Sequence, residues 1–299
     1  MGSTIYSIDT IRSKIGRSCP PYIFLLPTVL LVFAVSLYPL VYAVQRSFFE
    51  THYLELTKFI GLGNYIQFFS DSAGGKNILT SLVFTFGTLI LSVPIGLGLA
   101  LVLNTKIRGQ VFFRTILLLP WIVSMAVTAL LWGWIYNPLY GPINYLLSVF
   151  GGGGIDFLGD PKIAMLSLIL SNVWRTYPLA MVLLLAALQT IPPGLYEAAH
   201  VDGATRIQIF RYITLPLIQP TVLITIIILS SHYFNMVTQI LFLTDGAPLG
   251  KTEVLSLRLF HELFISWKVG LAASIGVLIV IFNILFTLLY IKFLRREEI

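Results

Sequence analysis

The chain has 299 residues, of which 57% are hydrophobic and only 11% are charged. Water-soluble domains carry roughly 25% charged residues, so this composition excludes an ordinary soluble globular protein and indicates a protein of the lipid bilayer. The net charge is +6, and the basic residues sit mostly at the ends of apolar runs. That placement favours membrane orientation over nucleic-acid binding.

Six apolar runs have the length of about 20 residues that a helix needs to cross a bilayer. They cover residues 22–45, 78–104, 115–136, 163–189, 218–243 and 268–293. The sequence therefore predicts an all-α polytopic membrane protein that forms one domain over residues 1–299. The first run is too long for the core of a signal peptide, and we expect it to be retained as a span.

An even number of spans places both termini on the same side of the membrane. The segments 1–21, 105–114, 190–217 and 292–299 carry eleven Lys and Arg residues, whereas the alternate loops carry seven. Cytoplasmic loops carry the excess of Lys and Arg, so both termini are predicted to be cytoplasmic.

Two prolines lie near the middle of predicted spans, Pro94 in the second, close to Gly96 and Gly98, and Pro178 in the fourth. Proline removes a backbone hydrogen bond, so each is expected to bend or locally unwind its helix. Such breaks suit a transport pathway, although ordinary kinking without a pathway accounts for either proline taken alone.

The loop between spans four and five is the most strongly patterned segment of the chain. Residues 195–201 favour a helix, Gly203 interrupts it, and a second short helix is expected over 204–213 before the next span begins at Leu215. A helix–glycine–helix unit on the cytoplasmic surface offers a docking site to a partner. The alternative is an amphipathic hairpin that packs on its own bundle.

This loop contains Glu197-Ala198-Ala199, then Gly203 after three residues, then Ile213-Thr214-Leu215-Pro216 after nine more. The spacing resembles the EAA loop in the membrane subunits of binding-protein-dependent ABC importers. Further segments resemble, in the same order, the first of the two paired permease subunits in importers of the maltose and glycerol-phosphate type. These segments are 59–65, 108–121, 141–144, 188–204, 243–248 and 269–274.

The resemblance implies that the loop holds a coupling helix, which docks into a cleft of the ATPase subunit. It assigns that role to Glu197, Ala198, Ala199, Asp202 and Gly203. The chemistry is suitable, because small alanines let a helix seat closely and Glu197 can pair with a basic residue. In the alternative interpretation, the alanines and the glycine are helix filler and a helix stop.

Arg175 lies about twelve residues from either end of its span, or roughly 18 Å along the helix. A charge at that depth normally faces the bundle interior or a water-filled cavity, so Arg175 either lines a pathway or makes a structural pair. The resemblance implies substrate-lining positions at Trp121, Met125, Arg175, Thr176, Leu179, Leu229, His232, Tyr233 and Met236. At Arg175 and Met236 the relatives carry small or amide residues, which puts maltose itself in doubt and admits an anionic or differently shaped sugar.

The sequence contains no nucleotide-binding loop of the G-x-x-x-x-G-K-[ST] form. We therefore expect a non-enzymatic permease without bound cofactor or metal, whose partner ATPase dimer holds ATP and Mg. The other expected partners are a second permease subunit, an extracytoplasmic binding protein and a carbohydrate-type solute, at a prokaryotic cell membrane. The main alternative is a stand-alone secondary transporter, which would be expected to have paired intramembrane acids or an inverted repeat. An intramembrane enzyme would need a nucleophile–base pair.

Overall fold

The computed structural model describes residues 22–52, 55–105 and 108–295. Five of the basic residues on which the predicted orientation rests lie outside the described residues: Arg12, Lys14, Arg17, Lys106 and Arg296. The orientation of the termini therefore stays a prediction.

Helices dominate the described part of the chain. Five helical stretches are long and apolar enough to cross a membrane, and a bent pair supplies a sixth crossing. The helices are α1 (Tyr22–Val32), α2 (Tyr38–Ser47), α3 (Gly63–Ser70), α4 (Gly74–Asn104), α5 (Gln110–Ile122), α6 (Met125–Ile135), α7 (Pro142–Val149), α8 (Ala164–Gln189), α9 (Pro193–Val201), α10 (Arg206–Ile209), α11 (Leu215–Phe234), α12 (Thr238–Leu243), α13 (Leu255–Phe260) and α14 (Val269–Arg295). Three π turns, Phe33–Leu37, Phe210–Thr214 and His261–Ile265, continue neighbouring helices.

Two spans are interrupted, and neither interruption is at the prolines that the sequence singles out. The third span consists of α5 and α6, which meet at an angle of 94°. The fifth span stops at Phe234 and resumes as α12 at Thr238. By contrast, α4 continues through Pro94 and α8 through Pro178, so the local unwinding expected there does not occur.

The packing of α4 against α8 forms the centre of the bundle. Phe84, Leu168 and Leu184 are fully buried between the helices of this core. At Gly96 the two backbones approach closely: a Cβ atom there would lie 2.7 Å from the Ala180 Cβ and 2.8 Å from the Met181 nitrogen. This close contact keeps the two proline-containing helices packed together, so that each supports the other along its length.

A small β-hairpin lies at the end of the bundle opposite the loop 190–217. It falls in the connection between the first two predicted spans, where the sequence analysis assigns no strand. β1 (Phe49–His52) pairs antiparallel with β2 (Glu55–Phe59). Asn64 attaches the hairpin to α3, because its Nδ2 donates to the carbonyls of Ser47 and Phe49, both at 2.9 Å. The apolar window of the first span has 0% of its residues buried, so within this single chain that span is exposed.

A charged network stabilises the same end of the bundle. The Arg258 Nη2 donates to Asp71 at 3.0 Å and to Glu262 at 2.8 Å. The His261 ring lies between Asp245, at 2.9 Å from Nε2, and Glu253, at 3.4 Å from Nδ1. These contacts join α13 to the start of α4 and to the loop after α12.

We expect Gly96→Ala to destabilise the bundle by about 1–3 kcal/mol, because the added methyl group meets the α8 backbone and the helices must separate. Gly98→Ala is the matched control, since a Cβ at Gly98 has nothing within 4 Å and alanine favours helix. Thermal denaturation of the detergent-solubilised protein, followed by size-exclusion chromatography, measures the difference. Equal midpoints for the two variants would contradict this description of the core.

Candidate translocation cleft and coupling loop

The coupling loop, residues 190–217, begins as the predicted helix–glycine–helix unit. Pro193 stands in the first turn of α9, where a missing N–H breaks no helical hydrogen bond. The second helix starts with a capping box, in which the Thr205 side chain and the Gln208 backbone and side chain bond reciprocally. Both helix starts are therefore encoded locally.

Gly203 ends the first helix of the loop with a left-handed conformation, φ +75°. Its N–H donates to the His200 carbonyl at 3.1 Å, and the Ala204 N–H donates to the Ala199 carbonyl at 2.9 Å. This pair of bonds is a Schellman cap, which satisfies carbonyls that would otherwise be free at the end of the helix. The chain reverses direction here because glycine adopts the required φ without strain.

Most of the coupling residues implied by the resemblance face outward. Ala199 is 7% exposed and anchors α9 to the bundle. The other four are exposed: Glu197, Ala198, Asp202 and Gly203. Sequence reasoning missed two apolar neighbours, Val201 and Ile207, which are 88% and 77% exposed. Their position on either side of Gly203, in an otherwise polar segment, is the signal that could have identified them.

The second helix of the loop is continuous with the fifth span. α10, the π turn Phe210–Thr214 and α11 form one helix of 29 residues, Arg206–Phe234, which is about 42 Å long at 1.5 Å per residue. The separate helix predicted over 204–213 is therefore wrong. The π turn opens the hydrogen-bond ladder just before Pro216, which has no N–H to contribute, so the helix continues past it.

The break in the third span leaves the Val123 carbonyl outside the helical ladder. α5 runs through Pro120 to Ile122, and Val123 then takes an extended conformation. The Ser124 side chain caps α6 by accepting from the Val127 N–H at 3.4 Å. Arg175 reaches this point from α8, and its Nε donates to the Val123 carbonyl at 3.4 Å. The buried arginine thus makes a structural bond at the break.

The break in the fifth span is held in a similar way. The Ser256 hydroxyl, from α13, donates to the Met236 carbonyl at 2.6 Å. Asn235 folds back on the preceding turn, where its Nδ2 donates to the Ser231 carbonyl at 2.7 Å. Each interruption is therefore fixed by a side chain from a different helix.

A cleft of about 680 Å³ lies between the two breaks. Met125 at the start of α6 forms one side, and the end of the fifth span forms the other. The remaining lining residues are Ile228, Ser231, His232, Asn235, Met236, Val237 and Thr238. Irregular backbone at membrane depth is tolerated where it lines a cavity or is buried in protein, and this cleft fits the first description.

Three of the nine implied substrate-path residues line this cleft: Met125, His232 and Met236. Three others are enclosed behind its wall, namely Thr176, Leu229 and Tyr233. The Tyr233 hydroxyl donates to the Thr176 hydroxyl at 2.8 Å and lies 3.1 Å from the Ser92 hydroxyl. Trp121 is 44% exposed at the end of α5, and Leu179 is half-buried on α8.

Sequence reasoning missed several residues that the structure brings to the cleft. Ser231, Asn235 and Thr238 line it and are exposed. The sequence shows an unusual density of polar residues in this part of the fifth span. It does not show that the helix stops at Phe234, and that interruption turns these particular side chains toward the cleft.

The chain belongs to the family described as "Binding-protein-dependent transport system inner membrane component", which matches residues 92–298. It is therefore a permease component of an ABC importer in the cell membrane, as the EAA loop predicts. In this family the ATPase is a separate subunit.

Named relatives cover nearly the whole chain. A trehalose/maltose transport system permease protein from Thermococcus litoralis is 33% identical over 91% of this chain and 92% of its own length. An sn-glycerol-3-phosphate transport system permease protein from Agrobacterium fabrum is 28% identical over 93% of this chain and 95% of its own length. A crystal structure of a bacterial ABC transporter involved in import of the acidic polysaccharide alginate has a chain that superposes with a TM-score of 0.83. That chain is 26% identical, and the match covers 96% of this chain and 99% of the other.

We expect Gly203→Ala to destabilise the end of α9 by about 1–2 kcal/mol, because a side chain at φ +75° is strained even in open space. Gly194→Ala is the control, since Gly194 lies in the same loop, with open space around it and no left-handed φ. Hydrogen exchange of the peptide 193–209 should be about tenfold faster in Gly203→Ala alone. The same rate in both variants would contradict the argument.

Proposed function

We propose that this chain forms half of the translocation pathway for a sugar or sugar-like solute of the oligosaccharide, polyol or glycerol-phosphate type. An extracytoplasmic binding protein delivers the solute, a second permease subunit completes the pathway, and an ATPase dimer binds ATP and Mg. The chain itself has no catalytic residue and no cofactor, and both of its termini are cytoplasmic. The named relatives support the solute class. A further alginate transporter structure, in complex with a periplasmic protein that holds an alginate pentasaccharide, supports the delivery step.

The observation that carries this proposal is the continuous helix Arg206–Phe234. One end of it starts three residues after Gly203 in the coupling loop, and the other end carries His232 in the wall of the cleft. A helix transmits a displacement along its axis with little internal deformation. When the ATPase dimer moves the loop, the helix therefore moves with it and displaces the break at residues 235–237.

ATP and the loaded binding protein act on the same equilibrium between inward-facing and outward-facing forms. Each must favour the outward-facing form, because a ligand that binds both forms equally shifts nothing. In this scheme Glu197, Ala198, Asp202 and Gly203 contact the ATPase, and Ala199 holds α9 to the bundle.

The cleft offers chemistry that suits a sugar. His232 and Asn235 present hydrogen-bonding groups in its lining. Trp121, exposed at the end of α5 outside the lining, offers an aromatic face for stacking. Arg175 uses its Nε for the Val123 carbonyl, and a guanidinium has further N–H donors. We propose that these donors meet an anionic group or hydroxyls of the solute as it passes. Thr176, Leu229 and Tyr233 then support the lining from behind, and Leu179 flanks it.

The stand-alone secondary transporter gains no support from the family or from the named relatives. A transport assay in proteoliposomes distinguishes the two functions. If the purified chain moves solute without an ATPase subunit, the importer proposal fails.

We expect Glu197→Lys and Ala198→Phe to abolish solute-stimulated ATPase activity and transport while the complex keeps its thermal stability. The first reverses an exposed charge, and the second places a bulky ring where a close helix contact is proposed. Glu50→Lys is the control, because it reverses an exposed charge at the opposite end of the bundle. Normal coupling in both loop variants, measured in reconstituted complexes, would refute the assigned role.

We expect Arg175→Met to reduce the stimulation of ATPase activity by anionic sugars about tenfold or more, compared with its effect on stimulation by neutral sugars. A loss of this size is expected when one hydrogen bond to a charged group is removed. Tyr177→Phe is the control. Its hydroxyl also links α8 to a backbone carbonyl of α5, at Leu117 and 3.2 Å, but carries no charge. The measurement is ATPase stimulation across a panel of neutral and anionic sugars. If the ratio of ATPase stimulation by anionic sugars to that by neutral sugars is unchanged, Arg175 has only a structural role and does not contact the solute.

A further inference from the structure

The loop between the third and fourth spans presents a large apolar face away from the bundle. We call residues 137–155 the aromatic loop; they contain no Asp, Glu, Lys or Arg. Six large side chains of this loop are between 56% and 89% exposed: Leu139, Tyr140, Tyr145, Leu146, Val149 and Phe150. Exposed patches of this kind mark a surface that something covers.

The loop is internally fixed, so this apolar face has a defined direction. Asn144 is 6% exposed, and its Nδ2 donates to the carbonyls of Asn137 at 3.1 Å and Ile155 at 2.9 Å. Its Oδ1 accepts from the Ile155 N–H at 2.8 Å. The polar side of α7 is therefore used to close the loop on itself, and the apolar side is left outward.

The apolar face continues the exposed surface of a membrane span. Val127, Leu130 and Trp134 are 54%, 65% and 52% exposed on α6. Their spacing of three and four residues places them on one side of the helix. Leu139 and Tyr140 follow within one short connection. The exposed apolar side of α6 therefore leads, along the chain, directly into the exposed residues of the aromatic loop.

We propose that the aromatic loop lies in the boundary between lipid headgroups and acyl chains, with the bilayer surface as its partner. Tyrosine is enriched at that depth because its ring is apolar and its hydroxyl hydrogen-bonds to water or headgroups. A short amphipathic helix parallel to the surface buries its apolar face there. A protein docking site would carry a polar rim, whereas here the neighbours Gly151–Gly154 offer no side chains. The proposal holds whichever side of the membrane this end of the bundle faces.

The test uses the single cysteine of the chain, Cys19. In a Cys19→Ser background, Leu146→Cys and Phe150→Cys are labelled with an environment-sensitive fluorophore. The labelled chain, with the subunits that co-purify with it, is placed in nanodiscs with shallow doxyl-labelled phospholipid. Quenching at both positions should be about threefold or more greater than at Lys251→Cys, an exposed residue of a loop at the same end of the bundle.

If a protein or water, and not lipid, covers the apolar face of the aromatic loop, the quenching experiment gives a different result. Weak quenching at residues 146 and 150, with an emission shift when a solute-loaded binding protein is added, would assign the face to that protein. Weak quenching without such a shift would assign it to water or to the second permease. Either result overturns the lipid proposal, and both leave the importer function intact. Unchanged elution of the labelled complexes verifies that the substitutions preserve the fold.

Discussion

A backbone carbonyl released from its helix at membrane depth needs a donor from within the protein, since the hydrocarbon core of the bilayer supplies none. The chain meets this requirement twice with side chains from other helices. Arg175 donates to Val123 at the break of the third span, and Ser256 donates to Met236 at the break of the fifth. The cleft lies between these breaks, so its position follows from where the backbone can be interrupted and still be satisfied.

The two walls of the cleft differ in how firmly they are held. On one side, Tyr233 is bonded to Thr176 and faces Ser92, which ties α11 to α8 and α4 through buried hydroxyls. On the other, Met125 begins a helix that meets its predecessor at 94°. In the proposed mechanism, a push along the Arg206–Phe234 helix meets the closely packed α4–α8 core and would be taken up where the helices are already interrupted.

Features that are encoded locally could be predicted from the sequence. Apolar length located the spans, and the position of Gly203 located the reversal of the chain after α9, because a Schellman cap needs only a few neighbouring residues. The helix breaks depend on packing. Pro94 and Pro178 lie in helices that support each other along their length, so they do not interrupt them. The third span breaks at Val123, after Pro120, where the largely exposed helix α5 meets the serine cap of α6. The enclosure of Tyr233 is likewise a tertiary effect, which no local pattern indicates.

Arg258 and Arg175 differ in what balances their positive charge. Arg258 is met by carboxylates of Asp71 and Glu262 at 3.0 and 2.8 Å, so its charge is neutralised within the chain. Arg175 is 9% exposed and donates to the neutral Val123 carbonyl. A carbonyl satisfies one N–H but leaves the positive charge in place, and a charge in a dry environment costs several kcal/mol. An anionic group that enters the adjacent cleft would reduce that cost, and a neutral sugar would do so only through its hydroxyl dipoles. In the proposed pathway, the same arginine that donates at the break would therefore favour anionic solutes over neutral ones.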